Sequence, residues 1–261
     1  MDMQHPILAA TDLTIGYTTK RGVHTLASNL NLSLASGRLI SLVGANGIGK
    51  STLLRTLTGI QKPLEGTVHL GNKNVSQYEA LELAQNLSLV LTEKLPPSNL
   101  TVFELIALGR QPYTNWLGRL SEEDHTKINQ AIALTQISHL IDLKHYEISD
   151  GQLQIVLIAR ALAQDTPLII LDEPTTHLDL HHKVSVFKLL KKLSKETGKC
   201  ILFSTHDIEL AIQLSDEMIV MTEEQVMQDQ PCNLISHGVF DTLFKDASIT
   251  FDPTKGTFII K

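Results

Sequence analysis

The sequence is poor in cysteine, has no excess of positive charge and contains no long apolar run. Its two cysteines, Cys200 and Cys232, lie far apart and form no CxxC pair, which argues against a disulfide framework or a zinc site. We expect both to be small apolar fillers in a reducing compartment. No stretch approaches the roughly 18 apolar residues of a membrane-spanning helix, and residues 1–10 lack the pattern of a signal peptide. These absences predict a soluble, intracellular protein that needs an embedded partner if it works at a membrane.

The balance of charged residues also argues against one kind of binding partner. The chain has 22 Lys and Arg residues against 28 Asp and Glu, a formal net charge of −6. Proteins that bind nucleic acid usually carry a basic patch, so we expect no nucleic acid among its partners. With 261 residues, of which 43% are hydrophobic, the chain can bury the core of one large α/β domain.

Short apolar runs alternate with longer segments of helical period. Such alternation predicts a mainly parallel sheet covered by helices on both faces. Residues from about 100 to 164 show helical patterns and no convincing strand, which predicts a helical subdomain inserted into the core. Capping-box patterns predict helix starts at residues 76–79 and 101–104. The runs that predict buried strands are 39–43, 168–171, 201–203 and 218–221.

A glycine-rich loop follows the first of these predicted strands. The segment Gly-Ala-Asn-Gly-Ile-Gly-Lys-Ser at residues 44–51 matches the phosphate-loop pattern G-x4-G-K-[ST], and a helical pattern follows it. Glycines let backbone N–H groups point at phosphate oxygens, Lys50 can reach the β- and γ-phosphates, and Ser51 can offer its hydroxyl to Mg²⁺. The residues expected to contact the nucleotide are Gly44, Ala45, Asn46, Gly47, Ile48, Gly49, Lys50, Ser51 and Thr52.

The predicted strand at residues 168–171 ends in two acids, Asp172 and Glu173. A buried strand rarely ends in paired carboxylates for packing reasons, although a solvated exit from the strand is the alternative. Downstream of a phosphate loop, Asp172 is placed to hold Mg²⁺ through water and Glu173 to polarise the attacking water.

A second phosphate-facing surface is predicted just before the helix that runs to about Gln164. Ser149 and Gln152 have capping-box spacing, which places Ser149 and Gly151 at an exposed helix N-terminus, where anions bind. Taken alone, these residues indicate no more than a helix cap. Two such surfaces in one chain favour two copies that face each other, each completing the other's site.

The segment Ile-Ser-Asp-Gly-Gln at residues 148–152, followed by Ile-Ala-Arg-Ala-Leu at 158–162, resembles the signature of ABC ATPases, usually written LSGGQ. The resemblance covers about residues 7–230 and implies the fold of an ABC cassette of the P-loop NTPase class. That fold has a mainly parallel α/β core, an N-terminal antiparallel β part and an inserted helical subdomain. The implied boundaries are 1–92 and 165–230 for the nucleotide-binding core, about 93–164 for the helical subdomain and 231–261 for a C-terminal extension.

The resemblance also implies roles for single residues. Tyr17 matches the aromatic residue that stacks on adenine, with an ordinary strand aromatic as the alternative. Glu173 and His206 match the catalytic base and the switch histidine that contacts the γ-phosphate, although a lone histidine is usually structural. Thr92 or Glu93 occupies the position where the family carries a glutamine near Mg²⁺.

Three further segments complete this assignment. Ser149, Asp150, Gly151 and Gln152 match the signature that contacts the partner's ATP, and residues 175–179, ending in Asp179, resemble the D-loop that crosses the dimer interface. The adjacent pair at positions 181 and 182, two histidines, has no such support and is expected to be a solvated helix start.

Residues 99–116 resemble the cassettes of importers for iron–siderophore complexes, haem and cobalamin. The resemblance implies an ATP-hydrolysing, Mg²⁺-dependent homodimer at the cytoplasmic face of the plasma membrane. Its implied partners are integral membrane permease subunits and, indirectly, a substrate-binding protein. The alternative is a non-transport ABC-type ATPase acting on a soluble partner, but the chain shows neither the coiled coils nor the second cassette of such proteins. A nucleotide-binding regulator without catalysis would need neither Glu173 nor His206.

Overall fold

A computed structural model of the chain describes residues 6–20, 22–91, 98–244 and 248–260. Thr92 and Glu93 therefore lie outside the described residues. The strands are β1 (Leu8–Thr19), β2 (Gly22–Leu34), β3 (Leu39–Gly44), β4 (Glu65–Leu70), β5 (Lys73–Asn74), β6 (Leu87–Val90), β7 (Leu168–Leu171), β8 (Cys200–Ser204), β9 (Glu217–Met221), β10 (Val226–Asp229), β11 (Ile249–Asp252) and β12 (Thr257–Ile260). The α-helices are α1 (Lys50–Leu57), α2 (Ala80–Ala84), α3 (Val102–Ala107), α4 (Glu122–Thr135), α5 (Asp150–Ala163), α6 (Leu180–Thr197), α7 (Ile208–Leu214) and α8 (Pro231–Ser236).

Within the described ranges, the central sheet has six strands in the order β10-β9-β3-β8-β7-β6, and all its pairs are parallel except β10 with β9. β3, β7 and β8 are buried along their whole length, as expected for a parallel sheet covered on both faces. Successive residues of β3 enter two different cores: Leu39 and Val43 pack in one, Ile40 and Leu42 in the other. The predicted parallel core and its four predicted strands are confirmed.

A second sheet, with the order β2-β1-β4-β5, is antiparallel throughout. Its long strands β1 and β2 pair with several register shifts, one of them at Asp12, which has a φ of 48°. Leu13, Ile15 and Leu34 are fully buried against the same core as Ile40. The N-terminal antiparallel part that the family resemblance implies is confirmed.

Residues 98–164 form α3, α4 and α5, joined by short 3-10 turns. Complete capping boxes begin α3 at Thr101 and α5 at Ser149, which confirms both predicted helix starts. The prediction for residues 76–79 is wrong. The Asn74 side chain accepts hydrogen bonds from both the backbone N–H and the hydroxyl of Ser76, which produces the 3-10 turn Val75–Gln77 instead, and α2 begins only after Glu79.

The 3-10 segment Leu108–Tyr113 is fastened to the helices beside it by a buried charge pair. The Nε of Arg110 donates to Oδ1 of Asp124 in α4 over 2.7 Å, and both side chains are only 3% exposed. The Nη1 of Arg110 donates to the carbonyl of Ala163 at the end of α5 over 2.9 Å. A methyl group on Gly109 would lie 2.2 Å from the carbonyl oxygen of Arg160, so only glycine allows this approach. The segment is thus held rigidly against α4 and α5.

The C-terminal residues pack onto the main core. Leu234 in α8 and Phe240 in the following 3-10 turn are buried there. The backbone N–H of Phe258 in β12 donates to the Glu209 carboxylate of α7 over 3.1 Å. The boundaries proposed from the sequence, at residues 92, 164 and 230, stay predictions.

Cys200 is buried in β8 as expected, but the expectation is wrong for Cys232, which is exposed near the start of α8. Across the described ranges, no helix combines the length and the apolar character needed to cross a membrane.

We expect an alkylating reagent to modify Cys232 but not Cys200 in the folded protein at about pH 8. Burial raises the pKa of the Cys200 thiol to about 12, so this residue has almost no reactive thiolate at that pH. Intact-mass spectrometry should show one added group before denaturation and two after it, and none on folded Cys232→Ser. Rapid double labelling of the folded protein would contradict the buried position of Cys200.

Candidate nucleotide-binding site

The phosphate loop lies between the end of β3 and the start of α1. Gly47 and Gly49 have φ angles of 77° and 115°, which glycine adopts without strain. The Nζ of Lys50 donates to the carbonyl oxygens of Gly44 and Ala45, over 2.9 and 3.2 Å. Burial lowers the pKa of the Lys50 amine, and the carboxylates of two nearby acids, those following β7, oppose this shift. The backbone of the loop therefore curves around one positive charge, the ammonium group of Lys50.

The two acids that follow β7 share a single buried hydroxyl group. Oγ of Ser204, the last residue of β8, donates to Oδ1 of Asp172 over 2.6 Å. The same oxygen accepts a hydrogen bond from the backbone N–H of Glu173 over 2.8 Å. Oγ of Ser51 in α1 also lies 3.4 Å from Oδ1 of Asp172, so the phosphate loop and the acidic strand end meet here.

Among the described residues, the hydroxyl of Ser51 and the carboxylate of Asp172 are hard oxygen donors that lie close enough together to share a cation. Mg²⁺ is usually held by one or two protein oxygens, with phosphate oxygens and water as the other ligands. Such a mixed site fits these residues. Within the part of the chain that the structure describes, no group of three or more His, Cys, Asp or Glu residues could hold a metal by itself.

Glu173 adopts a backbone conformation that is unusual for its residue type. Its φ is 49°, in the left-handed region, and strain of this kind persists only where several contacts hold the residue. The carboxylate accepts from the Thr176 hydroxyl over 3.1 Å, and Oε1 lies 2.5 Å from Nε2 of His206. The Glu173 carboxylate is thus held between Thr176, which follows β7, and His206, which follows β8. This arrangement can polarise a water molecule and hold its proton.

Tyr17 lies on β1 directly opposite His24 of β2. The two rings stack with centroids 4.9 Å apart and planes inclined by 3°, and Tyr17 remains 46% exposed. A methyl group on Gly16 would lie 2.1 Å from the carbonyl oxygen of His24, so glycine permits the close approach that aligns the rings. Tyr17 is therefore an exposed aromatic ring that stacks in parallel on the ring of His24.

The predicted signature residues form the start of α5. The hydroxyl of Ser149 accepts from the backbone N–H of Gln152 over 3.3 Å, and the Gln152 side chain accepts from the N–H of Ser149 over 2.9 Å. Asp150 is the first residue of the helix, and Gly151 is buried. Asp179 caps the N-terminus of α6 by accepting from the backbone N–H of His182 over 2.9 Å.

A sequence model of the family described as ABC transporter matches residues 27–176, more than half of the chain. The chain belongs to the ABC transporter family. Among the relatives of this cassette are an achromobactin transport ATP-binding protein of Dickeya dadantii and an iron(3+)-hydroxamate import ATP-binding protein of Bacillus subtilis. Each is 36% identical to the chain over 248 residues, which is 94% of this chain and 91% of the relative.

Solved structures of ABC proteins have the same fold. A metal-chelate type ABC transporter in an inward-facing conformation matches with a TM-score of 0.79 and 25% identity, over 97% of this chain and 95% of that one. A dimeric bacterial ABC transporter cassette matches with a TM-score of 0.72 and 28% identity, over 86% of this chain and 98% of that one. The chain is thus an ATP-hydrolysing cassette by family and by fold.

Sequence reasoning assigned no role to Ser204, although it lies only two residues before His206. Its importance depends on the neighbouring strand: β8 pairs in parallel with β7, so Leu171 lies beside Phe203 and the next residues, Asp172 and Ser204, meet. The only sequence signal is a polar residue at the end of an apolar strand, a pattern too common to single it out.

Replacing Ser204 by alanine should lower the ATPase rate about 10- to 100-fold, the usual effect of removing a group that orients a metal ligand. Asp172 loses a donor and the Glu173 N–H loses its acceptor, so we also expect a higher Mg²⁺ concentration at half-maximal rate. The matched control is Ser41→Ala in adjacent β3, because Ser41 is equally buried and its hydroxyl has no hydrogen-bond partner among the described residues. Equal rates for the two variants would exclude this role of Ser204.

Proposed function

We propose that this cassette is the ATPase subunit of an importer that takes up an iron complex, such as a siderophore or haem, or cobalamin. The observation that carries the proposal is the alignment, over 94% of the chain, with relatives named for achromobactin transport and iron(3+)-hydroxamate import. The resemblance of residues 99–116 to cassettes of this importer group supports it further. The likeness to a metal-chelate type transporter adds a structural argument in the same direction.

In the proposed reaction, Mg-ATP binds at the phosphate loop. The N–H groups of residues 44–52 and the ammonium group of Lys50 hold the phosphates, and Tyr17 supports adenine by stacking. Ser51 and Asp172 are the residues that would hold Mg²⁺, which neutralises charge on the phosphates. Glu173 orients and polarises the attacking water, and His206, which contacts Glu173, faces the γ-phosphate.

We propose that the working unit is a homodimer with two shared sites. Each site takes its phosphate loop from one chain and Ser149, Asp150, Gly151 and Gln152 from the other, while Asp179 contacts the partner across the interface. The capped, anion-attracting N-terminus of α5 supports this arrangement. So does the likeness to a solved dimeric cassette.

The proposed membrane partners are permease subunits, reached from the cytoplasmic face of the plasma membrane and fed by a substrate-binding protein. Trp116 is 91% exposed, and Tyr113 and Leu117 beside it are also exposed. Exposed aromatic residues of this kind are typical anchors of protein interfaces. The Arg110–Asp124 pair anchors the segment Leu108–Tyr113, which lies just before Trp116, so one side of this surface is held in place.

The rate of hydrolysis tests the proposed role of Glu173. Glu173→Gln should reduce turnover on the order of 10²- to 10⁴-fold, because the amide cannot accept the proton of the attacking water. ATP binding should be retained, because the residues proposed to hold the phosphates and adenine are unchanged. Phosphate release and equilibrium binding of a fluorescent ATP analogue measure the two effects separately. Wild-type turnover in Glu173→Gln would remove Glu173 as the base.

A further prediction concerns the partner. Tagged protein purified from detergent-solubilised native membranes should bring along a polytopic membrane protein at about equal stoichiometry. Trp116→Ala should reduce this capture, whereas Val23→Ala, at another exposed apolar residue on the hairpin of β1 and β2, should not. Reconstitution of the captured complex in vesicles would then allow uptake of a ferric hydroxamate and of cobalamin to be compared. Ribosomal proteins in place of a membrane protein would instead indicate a non-transport ABC ATPase.

A further inference from the structure

His182, in the first turn of α6, is held by the aspartate that caps this helix. Oδ1 of Asp179 accepts one hydrogen bond from the backbone N–H of His182 over 2.9 Å and lies 2.8 Å from the imidazole Nδ1 of the same residue. The hydrogen bond from the backbone N–H has the larger effect and the contact with the imidazole the smaller one, and together they hold the pKa of the Asp179 carboxyl below its usual range. Asp179 is therefore a carboxylate at neutral pH. The carboxylate therefore fixes the orientation of the imidazole ring.

The same ring lies against the glycine of the signature segment. A methyl group built on Gly151 would lie 3.0 Å from Cδ2 of His182, 3.4 Å from Cγ and 3.6 Å from Nε2. Gly151 is buried although it is only the second residue of α5. The ring of His182 thus covers Gly151, and the absence of a side chain there lets the two come together. Both histidines at this helix start are exposed, as expected, and the ring of His182 in addition packs against Gly151.

The segment of residues 175–179 is also fixed at its other end. The Thr175 hydroxyl donates to Oδ2 of Asp207 over 3.1 Å, and Lys183 in α6 contacts Oδ1 of the same carboxylate over 2.8 Å. With Asp179 bound to His182, both ends of the segment have defined positions. The contact with Gly151 then connects it to the start of α5.

We propose that His182 is a positioning residue that holds the signature segment (residues 149–152) and the D-loop segment (residues 175–179) of one chain as a single unit. The inference rests on the proposed homodimer, in which both segments act on the partner's nucleotide. Because their spacing is fixed within the free chain, closure of the dimer need not order them separately, and geometry fixed beforehand favours both association and catalysis.

The neighbouring histidine provides a matched control. His181 is exposed on the same helical turn, and its ring meets the ring of His182 edge-on, with centroids 5.6 Å apart. His181→Ala leaves both contacts of His182 in place. His182→Ala removes both contacts but keeps the backbone N–H that Asp179 caps, so α6 should still begin at the same residue.

The experiment is ATP-induced dimerisation, measured by sedimentation velocity in a Glu173→Gln background that holds ATP unhydrolysed. Adding His182→Ala should weaken the dimer on the order of ten- to a hundredfold, whereas adding His181→Ala should leave it unchanged. In the otherwise wild-type chain, His182→Ala should lower kcat by a similar factor while the KM for ATP and the melting temperature stay constant. A purely local structural role would move the melting temperature and leave dimerisation intact.

Two further variants separate the contacts. His182→Phe keeps a ring against Gly151 but loses the hydrogen bond to Asp179, and His182→Asn keeps a donor for Asp179 but loses the ring. Because the linkage needs both contacts, each should weaken the dimer. Full dimerisation of the Phe, Asn or Ala variant would overturn the inference. If Glu173→Gln alone stays monomeric with ATP, the proposed homodimer itself fails, an outcome that is distinct from failure of the His182 variants only.

Discussion

The parallel pairing of β3, β8 and β7 is the constraint on which the site depends. Leu42 lies beside Ser204, and Leu171 lies beside Phe203, so the three strands end at one edge of the sheet. This edge brings together the phosphate loop after β3, the two acids after β7 and His206 after β8. A slip of one residue in either pairing would turn each side chain to the opposite face and separate these groups. The burial of both faces, each with its own apolar core, is what fixes the register.

At this edge of the sheet, neighbouring groups offset the cost of burying Lys50 and of the strained backbone at Glu173. The Lys50 ammonium lies near the Asp172 and Glu173 carboxylates, which oppose the effect of its burial. The left-handed conformation of Glu173 is held by Ser204, Thr176 and His206. Strain that surrounding contacts impose is typical of reactive positions. Glu173, the residue proposed to activate water, thus owes its conformation to contacts from several neighbours.

Much of the fold could be predicted because its signals are local: the apolar run of β7, the glycines of the phosphate loop and the capping box at Ser149 each lie within a few residues. What escaped prediction depends on contacts between distant segments. Ser204 matters only because β7 lies beside β8, and His182 only because α6 lies beside α5. Ser76 was misassigned because the side chain of Asn74 competes for its hydroxyl and N–H.

The attachment of the segment Leu108–Tyr113 has a consequence for how such a protein can diversify. Arg110 holds the segment through a buried carboxylate and a main-chain carbonyl, so the anchoring involves none of the exposed side chains that follow it. Trp116 and its neighbours are free to change in sequence while the anchored backbone keeps its place. If these exposed residues contact a membrane partner, as proposed, the choice of partner could change during evolution while the ATP-hydrolysing site stays the same.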